Sequence, residues 1–289
     1  MMSRRGLLAG LGATMATGTG SAAYALGVEP YLRLAVERHA FLPSNWPAGL
    51  RLRVVVLADL HAGAPVMDEA RIEHIVAAAN TLRPDLILLL GDYGPSTRYV
   101  TREIPHEDVA RRLGALRAPL GVHAVLGNHD WWEDRDAVRH RTSLPSIGRA
   151  LEASGIQVLQ NDVVRAGPVL LGGLDSSWAY AVRHGADDLP KLLGQVTGDA
   201  PLLLMAHEPD TFTTLPGRVG VTFSGHTHGG QVRVMGWSPV VPSLYGNRYA
   251  WGHVREEGRD LVVSGGLGVS TFPVRFGVPP EITLVELGA

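Results

Sequence analysis

Residues 225–230 read Gly-His-Thr-His-Gly-Gly, directly after the apolar run Val221–Phe223. Two histidines one residue apart, flanked by glycines that let the backbone approach closely, are hard to explain by folding needs alone. On an extended segment an i, i+2 pair points to one side and suits a ligand. The same punctuation recurs along the chain. Asp59-Leu60-His61 follows Leu52–Ala58, Gly91-Asp92 follows Leu86–Leu90, and Gly127-Asn128-His129-Asp130 follows Val122–Leu126. His207 follows Leu202–Met205. In open α/β sheets ligands gather outside the carboxyl ends of the strands. Five strand ends therefore bring O and N donors to one rim, with Asp59, His61, Asp92, Asn128, His129, Asp130, His207, His226 and His228 as candidates. The histidines at 39, 74, 106, 123, 140, 184 and 253 lack such company and read as packing or solvent residues.

The rest of the pattern is α/β. The apolar runs above are buried strands by their Val- and Leu-rich continuity. Ile72, Ile75, Val76 and Ala79 predict a helix over 68–82, and further helices are expected over 109–116 and 144–154. Shorter strands are expected at 158–160, 163–166, 169–172, 261–263 and 282–286. Units of β-α-β early and consecutive strands late imply two sheets face to face with helices outside. The 289 residues are 45% hydrophobic and 19% charged, which is ample for a core. Zero cysteines exclude disulfides, thiolate metal sites and a cysteine nucleophile. A net charge of -2 without a long basic run leaves no track for nucleic acid.

Residues 3–8, Ser-Arg-Arg-Gly-Leu-Leu, open an uncharged Gly/Ala/Leu/Thr stretch that reaches Val28. Paired arginines before a mildly apolar segment resemble a twin-arginine export signal, and Ala23-Tyr24-Ala25 resembles its cleavage site. The expectation is an export signal or uncleaved anchor over 1–25 and one domain over 26–289, acting in the periplasm or cell envelope. Loss of residues 1–25 would remove Arg4 and Arg5 and no acids, giving 24 basic against 28 acidic residues.

The ordered set D-x-H, GD, GNHD, H and GHTH, from Asp59 to His228, resembles the calcineurin-like metallophosphoesterase family. Glu29-Pro30-Tyr31, Gly229-Gly230-Gln231 and the stretch from Leu267 through Pro273-Val274-Arg275-Phe276 to Ile282 are similar to its exported bacterial branch of phosphodiesterases and phosphohydrolases. The resemblance implies a four-layer αββα sandwich of two mixed sheets flanked by helices. It implies two divalent transition-metal ions, manganese, iron or zinc. Asp59, His61 and His228 would hold one, Asn128, His207 and His226 the other, and Asp92 would bridge them. A bridging hydroxide would attack phosphorus. His129 would stabilise charge or protonate the leaving oxygen, with Asp130 orienting its ring.

The protein-phosphatase branch continues its GD motif with Asp-Arg-Gly, whereas Asp92 here precedes Tyr93-Gly94-Pro95, which counts against a phosphoprotein substrate. Trp131-Trp132 would stack on substrate or support the loop, and the loops 244–251 and 269–276 would cover the pocket. The expected partners are a phosphoester, drawn from envelope lipid or cell-wall polymer, and the twin-arginine export machinery. Peripheral membrane contact is also expected, and nucleic acid is not. A UDP-sugar-lipid pyrophosphatase, a metal-free binding scaffold and a nuclease are the competing readings. Replacing Arg4 and Arg5 with lysine is expected to leave the protein in the cytoplasm on cell fractionation; unchanged export would overturn the signal assignment.

Overall fold

The computed structural model describes residues 19–44, 46–141 and 144–289. The Arg4-Arg5 motif lies outside the described residues. Twelve strands form two six-stranded sheets. The first sheet comprises β1 (Ala35–Phe41), β2 (Leu52–Leu57), β3 (Leu86–Leu89), β4 (Val122–Ala124), β5 (Gln157–Val158) and β12 (Glu281–Leu287), in the order β1-β12-β2-β3-β4-β5. The second comprises β6 (Asp162–Ala166), β7 (Val169–Leu174), β8 (Leu202–Ala206), β9 (Val219–Ser224), β10 (Gly252–Glu256) and β11 (Arg259–Val263), in the order β10-β11-β9-β8-β7-β6. Both are mixed. In the first, β2, β3, β4 and β5 run parallel while β12 is antiparallel to β2. In the second, β7, β8, β9 and β11 are parallel and both edge strands antiparallel to their neighbours.

The continuous apolar runs are explained by burial on both faces. Along β2, Val54 and Val56 pack with Leu88, Met205, Val221 and Phe223 between the sheets. Val55 and Leu57 point the other way, toward Ile72, Ile75 and Val109 on the flanking helices. Helix α1 (Glu69–Thr81) starts where the Asp68 side chain accepts from Arg71 N, and it buries Ile72, Ile75, Val76 and Ala79. Helix α2 spans His106–Leu113, earlier than its apolar stripe predicts, because Pro105, Glu107 and Asp108 form a polar first turn. On the far face of the second sheet, Leu192, Phe212 and Tyr249 cover Leu204 and Leu261. The layers are those of the expected αββα sandwich.

This architecture places the carboxyl ends of β2, β3, β4, β8 and β9 along one rim. The two loops after β2 and β3 are zipped together, with Asp59 N donating to Gly91 O, His61 N to Asp92 O and Ala62 N to Tyr93 O. The third loop crowds the second at Gly91. Gly91 has φ +94°, and a Cβ there would overlap the backbone nitrogen of Gly127. Gly91→Ala is expected to destabilise the protein by about 2–4 kcal/mol, combining left-handed strain with overpacking against backbone. Denaturant unfolding measures it, and an unchanged midpoint would refute the crowding argument.

Candidate metal centre

Seven buried donors converge at this rim. Asp59, His61 and His228 offer ligand atoms all within 4.8 Å of one another, and Asp92, His207 and His226 form a second such group. Asp92 Oδ2 faces both, at 3.6 Å from His61 Nε2 and 3.3 Å from His207 Nε2. Asn128 Oδ1 joins the second group, 3.0 Å from His226 Nδ1. His226 and His228 therefore serve different groups. They do not point to one side as an extended i, i+2 pair would. The reason is the backbone: His226 and His228 have φ of 68° and 52°, and Asp59, His61 and Asp92 are left-handed as well. Left-handed conformations at non-glycine residues are uncommon and cluster at functional sites, where surrounding bonds enforce them.

The surroundings orient each ligand. His61 Nδ1 meets Gly94 O at 3.0 Å and His207 Nδ1 meets Leu90 O at 2.6 Å, which turns each Nε2 lone pair into the centre. Asp59 Oδ1 accepts from His226 N at 2.9 Å, and Asp92 Oδ1 accepts from His129 N at 2.9 Å. Arg275, fully buried, donates to the carbonyls of Gly265, Gly268 and Val278 and sits 3.3 Å from His228 Nδ1. Its apolar neighbourhood in Pro273–Phe276 is the sequence signal that marks it.

Asp130 is placed differently from its expected role. Its two oxygens accept from the backbone N–H groups of Asp92, Tyr93 and Gly127, so its bonds clamp two ligand loops together and do not go to the His129 ring. His129 is half-buried at the cavity floor, edge-on to His61 at 5.3 Å and to Trp132 at 5.1 Å. The two tryptophans divide the roles expected of them. Trp131 is buried and donates to Asp175, whereas Trp132 lines the cavity and donates to Trp178 O. Tyr93 is buried with its hydroxyl on Val125 O, a packing role. Trp178 packs edge-on against His226 at 4.7 Å, and no motif in the sequence marks it. Glu208, next to His207, holds the Trp178 loop by accepting from Ser176 Oγ and Ser177 N.

The residues present fit metal ions. Buried Asp59 Oδ2, His207 Nε2 and His226 Nε2 have no hydrogen-bond partner, and three such atoms in one cluster are costly without a cation. His207 Nε2 approaches Asp92 Oδ2 without hydrogen-bond alignment. Burial pushes His61 down to about 4, His226 to about 3 and His228 well below the usual imidazole range, so these rings stay neutral donors. For Asp92 burial is outweighed by His207, His129 and His61, which hold it well below the carboxylate range, and the same pairing raises His207. Mixed carboxylate, amide and imidazole donors suit transition-metal ions.

Burial, opposed by His207, raises Asp59 to about 7. Without metal this carboxyl holds a proton below that pH, and a metal must displace it. Metal affinity is therefore expected to fall as pH drops from 7 to 5.5, approaching about tenfold per unit. Calorimetric titration with manganese across this range measures it, and a flat affinity would refute the proton competition.

The cavity above the ligands holds about 440 Å³. Asp92, Asn128, His129, His226 and His228 line its floor, and Trp132, Trp178, Val232, Pro239, Val240, Pro242, Phe272 and Val274 line its walls. Of the expected covering loops, 269–276 does line it. The segment 244–251 does not; residues 239–242 take its place, because Asn247 turns back to bond Ser238 N and O. Among the described residues no lysine or arginine lines this cavity. Arg102, Arg111 and Arg112 instead pair with Glu69, Asp108 and Glu73 on the surface.

The calcineurin-like phosphoesterase family matches residues 52–230, from the first strand of the centre through its last ligand. The chain is similar to the uncharacterized metallophosphoesterase YkuE of Bacillus subtilis, 29% identical over 99% of this chain and 98% of that protein. It is similar to the phosphodiesterase YaeI of Escherichia coli, 31% identical over 99% of this chain and 100% of that one. A transmembrane protein with a metallophosphoesterase domain from Danio rerio is 30% identical over 82% of this chain and 53% of its own length. The ligand order, the converging donors and these matches agree: the chain belongs to the calcineurin-like phosphoesterase family and is a phosphoester hydrolase.

Proposed function

We propose that this protein is a dinuclear enzyme that hydrolyses phosphodiester or pyrophosphate-type linkages outside the cytoplasm. The observation that carries the reading is a cavity with a donor-lined floor, apolar walls and no described cation among its lining residues. A dianionic monoester wants arginine or lysine around its oxygens. A diester carries one charge and two organic arms, and apolar walls suit an arm. Similarity to a protein named as a phosphodiesterase supports the same reading. The Arg4-Arg5 motif supports export.

Hydrolysis adds water across a P–O bond, so phosphorus gains the water oxygen and the departing oxygen gains a proton. Divalent ions on these ligands, with manganese, iron or zinc proposed, would lower the pKa of a bound water and neutralise phosphoryl charge. Asp59, His61 and His228 would hold one ion and Asn128, His207 and His226 the other, with Asp92 facing both groups. His129 lines the same floor and is assigned proton delivery to the departing group. Trp132 and Trp178 line the wall of the same cavity.

The metal-loaded protein is expected to prefer an aryl diester over an aryl monoester. Asp92→Asn is expected to abolish both activities and to lower bound metal. His129→Gln is expected to reduce kcat by about 10²–10⁴-fold with metal content unchanged. Steady-state kinetics alongside elemental analysis provide the check; full activity in Asp92→Asn would overturn the site.

A further inference from the structure

Four residues beyond Gln231 the chain makes a hairpin of unusual chemistry. Val234 and Trp237 exchange both backbone hydrogen bonds, at 2.9 and 3.0 Å, and Met235 and Gly236 form the tip at positive φ. Such tips ordinarily carry Asn-Gly or Asp-Gly, whose polar side chains are solvated. Here Met235 is fully exposed, Trp237 is 59% exposed and Val240 72% exposed. Phe272, half-exposed across the cavity, forms the opposite lip. An ordered turn that offers only apolar groups to water marks a surface that something covers.

The covering surface is indicated by what stands behind the hairpin. Val232 pairs with Phe276, and the Tyr24 ring packs edge-on against Phe276 at 6.2 Å. Ala25 O accepts from Arg275 N, and the Glu29 carboxylate accepts from Gly277 N and Val278 N. The helical segment 19–32 is thus fastened to the stem that carries the hairpin, with Leu26 and Leu32 exposed on it. Residues 1–18 carry Arg4 and Arg5 and no acid. The described chain thus begins, at residue 19, on the segment fastened to this stem, with the basic pair in the residues before it. No helix among the described residues is long and apolar enough to cross a membrane, so the described apolar groups suit an interface and not a span.

We infer that the Val234–Val240 hairpin and Phe272 form a lipid-docking face, and that the substrate is an amphiphile whose apolar chain remains at the bilayer while its phosphodiester reaches the metal ligands. This substrate class rests on the hydrolase reading above. Trp237 has the apolar body and polar tip that favour the membrane interface. Val240 and Phe272, exposed on this face, also line the cavity together with Val232 and Trp178, so the face and the cavity share apolar groups against which an alkyl chain can lie.

The chain contains no cysteine, so Met235→Cys in the full-length protein provides a unique attachment point for an environment-sensitive dye. Arg51→Cys, exposed at the opposite end of β2, is the control. Vesicles of phosphatidylethanolamine and phosphatidylglycerol are expected to blue-shift the dye at 235 and leave it unchanged at 51. No shift at 235, or equal shifts at both positions, would overturn docking. The second arm compares two nitrophenyl phosphodiesters, one with a long alkyl chain carried in vesicles and one with a methyl group free in solution. Each releases nitrophenolate as water oxygen bonds to phosphorus. The alkyl diester is expected to show a kcat/KM at least about tenfold higher, the factor that burying one large apolar side chain supplies. Met235→Asp/Trp237→Asp, at residues outside the cavity lining, is expected to erase that advantage and leave the methyl diester unaffected. Equal turnover of the two diesters, or an advantage that survives the double substitution, would overturn the amphiphile assignment. A dye shift at 235 with neither diester cleaved would instead refute the hydrolase reading and leave docking standing.

Discussion

One buried carboxylate organises the centre. Asp92 Oδ2 stands between the two donor groups, close to His61 on one side and His207 on the other. An interior charge costs several kcal/mol unless it is paired and hydrogen-bonded, and almost every nearby feature addresses that cost. His129 N donates to its other oxygen, and Asp130 takes its backbone N–H together with those of Tyr93 and Gly127. Gly127 is dictated by the same group, since a Cβ there would overlap Asp92 Oδ1 and lie 2.7 Å from His207 Cε1. The GNHD run thus supplies an amide donor in Asn128, a cavity-floor ring in His129 and a clamp in Asp130, opened by a glycine that yields space to a carboxylate on another loop.

The ligands themselves are held in conformations that an isolated loop would abandon. Five of the seven, Asp59, His61, Asp92, His226 and His228, are left-handed. What enforces them is a set of backbone bonds between loops of different strands. Asp59 N reaches Gly91 O, Gly268 N reaches Asp59 O, and Gly225 N reaches His207 O. These bonds hold because the strands beneath are fixed by burial on both faces, with Val54, Leu88 and Val221 locked between the sheets. Rigidity of the core is thereby converted into placement of the donors, which is what tight metal geometry requires.

That coupling explains what the amino-acid sequence disclosed. Strands buried on both faces read as unbroken apolar runs, so β2, β3 and β8 were visible, and their polar ends marked the ligands. The edge strands β1 and β10 are half-exposed, alternate weakly and carry Arg38, His39, His253 and Arg255, so no run announces them. His253, read from the sequence as a packing or solvent residue, bonds Asp260 and stacks on Phe41 in this edge. Helix 128–132 is five residues long and consists largely of site residues, which hides it from periodicity. The split of His226 from His228 depends on left-handed backbone that spacing does not encode. The role of Asp130 escaped for a related reason: its partners are backbone N–H groups, which every residue carries and no motif distinguishes.

The departure from the protein-phosphatase pattern has a structural counterpart. Gly94 stands where that pattern has arginine, and its carbonyl is occupied by His61 Nδ1. The space a side chain would need there is filled by the Glu133 carboxyl group, which a Cβ at Gly94 would overlap. Burial raises the pKa of Glu133, and its Oε2 lies 3.4 Å from His106 Nε2. An acidic group thus occupies the region from which a guanidinium would neutralise a second phosphoryl charge. With Trp132 and Trp178 lining the wall above the floor, a lower dielectric would strengthen electrostatic terms there, attraction to metal ions on these donors and repulsion alike. The proposed substrate follows from that balance: one phosphoryl charge for the floor to hold, and an uncharged arm for the walls.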